Sequence, residues 1–117
     1  MLIDTTQIAL ERAIEGTTAR NTALASNLAN AETPGYQRVD VDFHGALAAA
    51  MGRGEGRLES VSFAAQPDGT AQTRADGSSV DVDSESAKLA ENALEHQATV
   101  QVARARLNII EIAIGKR

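Results

Sequence analysis

Apolar residues recur at alternating steps of four and three at both ends of this 117-residue chain, with a stretch of different character between them. That spacing commits each end to a helix with one narrow apolar face. At the N-terminal end the series is Leu10, Ile14, Thr17, Asn21, Leu24, Leu28 and Ala31. At the C-terminal end it is Leu89, Ala93, His96, Val100, Ala103, Leu107, Ile110 and Ile114, with Ile109 and Ile112 widening the stripe. Asp4 stands where it can cap the first helix, Gln7 where it can return the bond in a capping box, and Ile3 and Ile8 at the staple positions. Pro34 ends the helix, because its ring disfavours helical geometry at Thr33 and it lacks a donor. Asp83 is the expected cap of the second helix, Glu85 suits the positive end of its dipole, and Lys116 and Arg117 suit the negative end. The expected fold is mainly α, a single domain over residues 1–117. Two long terminal helices, about residues 5–31 and 84–114, pair as a coiled-coil-like hairpin around a short β/loop middle at about 33–82.

The middle is read from its turn residues. Thr33-Pro34-Gly35-Tyr36 suits a type II turn, with Pro at the first central position and Gly supplying positive φ at the second. Val39, Val41 and Phe43 alternate with Asp40, Asp42 and His44, the pattern of a short half-buried strand. Gly45 to Met51 can form one or two helical turns. Residues 52–79 spread Gly52, Gly54, Gly56, Gly69, Gly77 and Pro67 among charged and small polar residues, which reads as a loop or loosely ordered insertion. Its large apolar residues, Leu58, Val61 and Phe63, suffice for a short strand or a docking contact.

Composition narrows what such a chain can do. With two Phe, one Tyr and no Trp, and much of its apolar content in Ala, it has little with which to build a thick core. The first seam holds four large aliphatics, is interrupted by the polar Thr17 and Asn21, and passes Gly16, so its middle is expected to be the weakest part. Neighbouring copies are the expected source of the missing stabilisation. A formal charge of −5 disfavours a nucleic-acid partner, and Arg104 and Arg106 share their helix with Glu95 and Glu111 as a mixed-charge surface. The absence of Cys removes disulfides and thiolate metal sites. The N-terminus lacks the basic-then-apolar form of a cleaved signal, and no apolar run approaches the span of a bilayer, so membrane insertion is not expected.

No catalytic constellation emerges. Gly52, Gly54 and Gly56 lack the spacing and the following Lys-Ser/Thr of a phosphate loop. Asp40 with Asp42, and Asp81 with Asp83 and Glu85, lack the ligand count and glycine placement of a calcium loop. His44 and His96 have no Cys partners, and Ser26 and Ser84 have no paired His. No catalytic residue, cofactor or metal is expected. The classes left open are a self-assembling subunit and a free helical-hairpin adaptor that binds one partner helix, with a cation-binding module third.

One stretch is more specific. Arg20-Asn21, followed by Leu24-Ala25-Ser26-Asn27-Leu28-Ala29-Asn30-Ala31-Glu32-Thr33-Pro34-Gly35-Tyr36, resembles the N-terminal signature of the flagellar basal-body rod proteins. Val39-Asp40-Val41-Asp42-Phe43 continues in the manner of the proximal-rod member, and the uninterrupted Asn30 to Pro34 stretch favours that member over its paralogue. The C-terminal part is similar as well, from Val80-Asp81-Val82-Asp83 through Glu85, Asn92 and Gln97 to Leu107 and Ala113-Ile114-Gly115. Residues 45–75 carry no such signature. Ser78 and His96 stand where the family usually has Asn and Tyr.

The resemblance implies a structural subunit of the rod, self-assembling through its terminal helices into a hollow, torque-transmitting tube. Leu10, Ile14, Asn21, Leu24, Leu28, Leu89, His96, Val100, Leu107, Ile110 and Ile114 would then be the assembly seam. Asn27, Asn30, Thr33, Pro34, Gly35 and Tyr36 would be the signature turn. The implied partners are other copies, other rod subunits, the MS ring with its adaptor subunit, and the flagellar type III export apparatus. The implied location is the periplasm-spanning rod of the basal body, reached without a cleaved signal.

Overall fold

Asp4 starts the first helix as its position suggests: its backbone is extended and its carboxylate accepts a hydrogen bond from the Gln7 amide at 2.9 Å. The structure, a computed structural model, describes residues 4–115, so the Ile3 half of the expected staple lies outside the described residues. The Gln7 carboxamide oxygen finds no partner, so the capping box is made on one side only. Helix α1 (Thr5–Ala29) ends before Pro34 can act. Asn30 stops it, its amide sharing the carbonyls of Ser26 and Asn27 and its side chain donating to the Ser26 carbonyl at 2.8 Å, a local bond that competes with continued helix. Pro34 then presets the turn, in which the Tyr36 amide donates to the Thr33 carbonyl at 3.2 Å and Gly35 takes φ +77.

The middle is more ordered than a loose insertion. The expected strand from Val39 to Phe43 reduces to β1 (Val39–Asp40), because Asp42 accepts from the Gly45 amide at 3.1 Å and starts helix α2 (Phe43–Met51). Helix α3 (Glu55–Ser60) follows, then β2 (Gln66–Pro67), which pairs antiparallel with β1 so that Val39 faces Pro67 and Asp40 faces Gln66. The last helix, α4 (Val82–Ala113), is capped by Asp81 rather than Asp83: the Asp81 carboxylate accepts from the amides of Asp83 and Ser84 at 3.1 and 3.4 Å. Asp83 and Glu85 fall in its first turn. Lys116 and Arg117 lie outside the described residues.

Four ties set α1 and α4 antiparallel, one of them from Asn92 to the Thr17 carbonyl at 2.8 Å. Arg106 donates to Asp4 at 3.1 Å at one end, Thr17 meets His96 at 2.7 Å in the middle, and Asn27 donates to Glu85 at 3.2 Å at the other end. The molecule is long and thin, 62 × 31 × 14 Å. Helices α2 and α3 pack on α1 rather than on α4. Two small apolar clusters result: Ile8, Ala50 and Leu58 with Leu47 and Val61, and Ala23, Val41 and Phe43 with Ala19, Val39 and Phe63. Leu58 is fully buried, so the glycine-rich segment docks through it. The Phe43 and Phe63 rings meet edge to face at 6.3 Å, a favoured aromatic geometry.

Gly16 is a packing residue as well as a weak point in the helix. A Cβ placed on it would stand 2.6 Å from the Phe43 Cβ and 2.7 Å from its Cγ. Gly16→Ala would gain about 1 kcal/mol in helix propensity, but forcing Phe43 away from α1 costs about 1–3 kcal/mol. The expected net effect is a loss of stability in urea unfolding. A Gly16→Ala chain more stable than the parent would show that Phe43 does not hold this position.

Candidate functional site

The signature turn folds over a buried polar joint between the two long helices. Asn27, fully buried on α1, uses its whole hydrogen-bonding capacity. Its Nδ2 donates to the Val39 carbonyl at 2.6 Å and to Glu85 Oε2 at 3.2 Å, while its Oδ1 accepts from the Val39 amide at 2.9 Å and the Tyr36 hydroxyl at 3.2 Å. Arg38, just past the turn, is 4% exposed and spreads its guanidinium over three carboxylates. Nε donates to Glu85, Nη1 to Asp68, and Nη2 to Asp40 at 3.1 Å. Arg20 of α1 adds a bond to Asp40 at 2.9 Å. Glu85, 1% exposed in the first turn of α4, thus joins α4 to the turn and to α1 together.

Charge at the joint is held by these bonds. Burial alone would lower the Arg38 pKa, but hydrogen bonds to Glu85, Asp68 and Asp40 outweigh it and raise it above the ordinary arginine value. Asp40 is pushed up by burial and brought below its usual value by Arg20, the Val41 amide and Arg38. Asp68 is lowered to about 2, chiefly by the hydroxyl and amide of Thr70 and then by Arg38. Further ties close the loop ends: the Arg38 amide donates to Ser79 Oγ at 2.8 Å, and Arg74 donates to the carbonyls of Ala31 and Val80.

The proposed seam residues divide into two groups. Leu24 is fully buried; Leu10, Ile14, Leu28, Leu89, His96, Val100 and Ile110 are partly buried; Asn21 is exposed. Leu107 and Ile114 are exposed; both lie beyond the Asp4–Arg106 tie, as does the partly buried Ile110. Opposite the seam, α4 carries a second row at helical spacing, Leu94, Ala98, Val102, Ala105, Ile109 and Ile112, all exposed. Leu94, Ile109 and Ile112 are 68%, 65% and 65% exposed. Ile109 and Ile112, expected to widen the seam, belong instead to this row half a turn away from it, because α1 covers only one face of α4.

The chemistry of the remaining polar groups is structural. Thr17 and His96 form a hydroxyl–imidazole pair in which Thr17 is 1% exposed and also donates to the Ile14 carbonyl. His44 pairs with Glu95 and links the start of α2 to α4. Four of the five carboxylates weighed as metal ligands are otherwise engaged: Asp42 and Asp81 cap helices, while Asp40 and Glu85 pair with arginine. Among the described residues no cluster of three or more His, Cys, Asp or Glu could hold a metal ion, and no helix is long and apolar enough to cross a membrane.

No family model matches the chain. Individual curated proteins do. It is 33% identical over 105 residues to the flagellar basal body rod protein FlgB of Cereibacter sphaeroides, covering 81% of this chain and 82% of that protein. It is 34% identical over 96 residues to FlgB of Escherichia coli K12, covering 67% and 70%. With FlgB of Salmonella typhimurium the identity is 34% over 109 residues, covering 75% and 77%.

Two outcomes test the joint. Glu85→Ala leaves Arg38 buried without its innermost partner and is expected to cost about 3–5 kcal/mol in urea unfolding; a loss below about 1 kcal/mol would mean that the pair is effectively solvated. Asp68 has a lowered folded-state pKa, so its contribution is complete above about pH 4 and is lost as the pH falls through about 2. The melting temperature of Asp68→Asn should therefore fall less steeply than that of the parent over this range. Parallel curves would remove Asp68 from the joint.

Proposed function

The chain belongs to the flagellar basal body rod protein FlgB family, and from that premise we propose that it is a structural subunit of the proximal rod. In this reading its 117 residues form one subunit domain that self-assembles through the terminal helices into the hollow, torque-transmitting axial tube. The observation that carries the self-assembly is the row of exposed aliphatics along α4, ending in Ile109 and Ile112. An apolar row of this kind on a thin molecule marks an interaction surface. A network of buried polar bonds holds the hairpin in one register, so this row is presented on a defined element. The site is an assembly surface, without a catalytic role.

The proximal-rod reading supplies the remaining neighbours: other rod subunits, and the MS ring with its adaptor at the base. Delivery is by the flagellar type III export apparatus without a cleaved signal. The competing reading, a free hairpin adaptor, predicts a stable monomer that binds a single foreign helix.

Ile109→Asp separates these readings from simple misfolding. The side chain is exposed in the monomer, so folding stability should stay within about 0.5 kcal/mol of the parent. Sedimentation of the parent should show association rising with concentration, and Ile109→Asp should remain monomeric over the same range. In a cell lacking its own proximal rod subunit, the variant should be exported and fail to restore swimming. Full motility with Ile109→Asp would remove the α4 row from the assembly surface.

A further inference from the structure

Asn27 and Asn92 are both buried, but only Asn27 has its hydrogen-bonding capacity filled. Asn92 is 1% exposed, and its Nδ2 donates to the Thr17 carbonyl at 2.8 Å. That bond fixes the orientation of the amide, since a reversed group would set two oxygens against each other. Among the described residues nothing donates to Asn92 Oδ1. A buried acceptor without a donor carries the cost of its desolvation, and native structures rarely retain one. The hydrogens close by are already committed. The Thr17 hydroxyl has one hydrogen and gives it to the Ile14 carbonyl at 2.9 Å, so in the 2.7 Å contact with His96 the ring Nδ1 carries the hydrogen and donates. The Thr18 hydroxyl gives its own to the Ile14 carbonyl at 2.9 Å. Asn92 lines a pocket of about 180 Å³ with these three residues, Asn21, Ala93 and Gln97. Among the described residues no Lys, Arg, Asp or Glu lines it.

We propose that this pocket is a hydration site, in which a water bound as a structural ligand donates to Asn92 Oδ1. The chemistry of the lining selects a small neutral donor. An anion would meet an oxygen with no hydrogen to offer, and a cation would find no carboxylate to balance its charge. An apolar group would leave the oxygen desolvated. Water has the hydrogens, and it needs about three partners in a polar site with room for about 10–15 Å³ of probe volume. The lone pairs that the Thr17 and Thr18 hydroxyls retain, and the side-chain amides of Asn21 and Gln97, supply the remaining partners. Thr17 and Asn21, the two polar interruptions of the N-terminal seam, thus line a wet contact. The water joins α4 to α1 beside the bonds that Asn92 and His96 make to Thr17. It belongs to the isolated chain and does not depend on self-assembly.

Two measurements on the parent chain test the site. A crystal structure that resolves solvent is expected to show a water about 2.7–3.2 Å from Asn92 Oδ1. In dilute solution, nuclear magnetic resonance is expected to show direct cross-relaxation between the Ala93 methyl protons and a water that resides much longer than ordinary surface hydration. Asn92→Leu removes the acceptor while nearly keeping the side-chain volume, and both signals should disappear in it. Three results would overturn the proposal. The first is an Asn21 or Gln97 amide donating directly to Asn92 Oδ1 with no water beside it. The second is a long-lived water that persists unchanged in Asn92→Leu, since the site would then owe nothing to that oxygen. The third is only fast-exchanging hydration around Ala93 in the parent, a result that decides the matter even if Asn92→Leu fails to fold.

Discussion

The buried ion pair between Arg38 and Glu85 is the constraint on which the rest of the structure depends. Two charges removed from water are tolerated only where hydrogen bonds complete their shells. Here Arg38 reaches Asp40 and Asp68 as well, and Glu85 also receives Asn27. Every one of those partners sits on a different segment: α1, the strand after the turn, the loop after β2, and the start of α4. The pair can be satisfied only when all four are in place. In a chain with few large apolar side chains, such a joint defines the arrangement in a way that bulk burial could not.

From that joint the molecule is asymmetric. The middle segments return to α1, filling its flank with Phe43, Leu58 and their neighbours, while α4 is gripped along one face and left open along the other. The polar ties Asp4–Arg106 and Thr17–His96 keep the helices aligned where the seam is thin in hydrophobic contact. The last turns of α4 run past the start of α1 at Asp4. An element whose apolar surface exceeds what its own chain can cover is suited to a role completed by other subunits, which is the role proposed here.

Much of the fold was legible because it rests on local rules. The two seams, the Asp4 cap and the Pro34-Gly35 turn each follow from spacing or from the conformational limits of single residues. The misreadings share another cause. Val39 to Phe43 alternates like a strand, yet Asp42 begins a helix, because a capping carboxylate outcompetes a pattern with only one partner strand to pair with. Asp81 displaced Asp83 as a cap by two residues for want of any sequence signal that ranks adjacent acids. Gly16 looked like a defect in a helix until Phe43 was found against it. Leu58, by contrast, makes the docking contact expected of it, against Ile8 and Ala50.

By itself the sequence determined that both ends are helical, that each has an apolar face, and that a tight turn follows the first. Those outcomes depend on interactions within a few residues, where type and spacing are sufficient. The tertiary structure alone decided that Glu85 would be buried against Arg38, 47 residues away in the chain, and which side of α4 would stay open. It also decided that Leu107 and Ile114 would be left without the partner helix their periodicity suggested. Burial and charge pairing depend on what arrives from distant parts of the chain, and periodicity cannot say which of two apolar faces will be covered first.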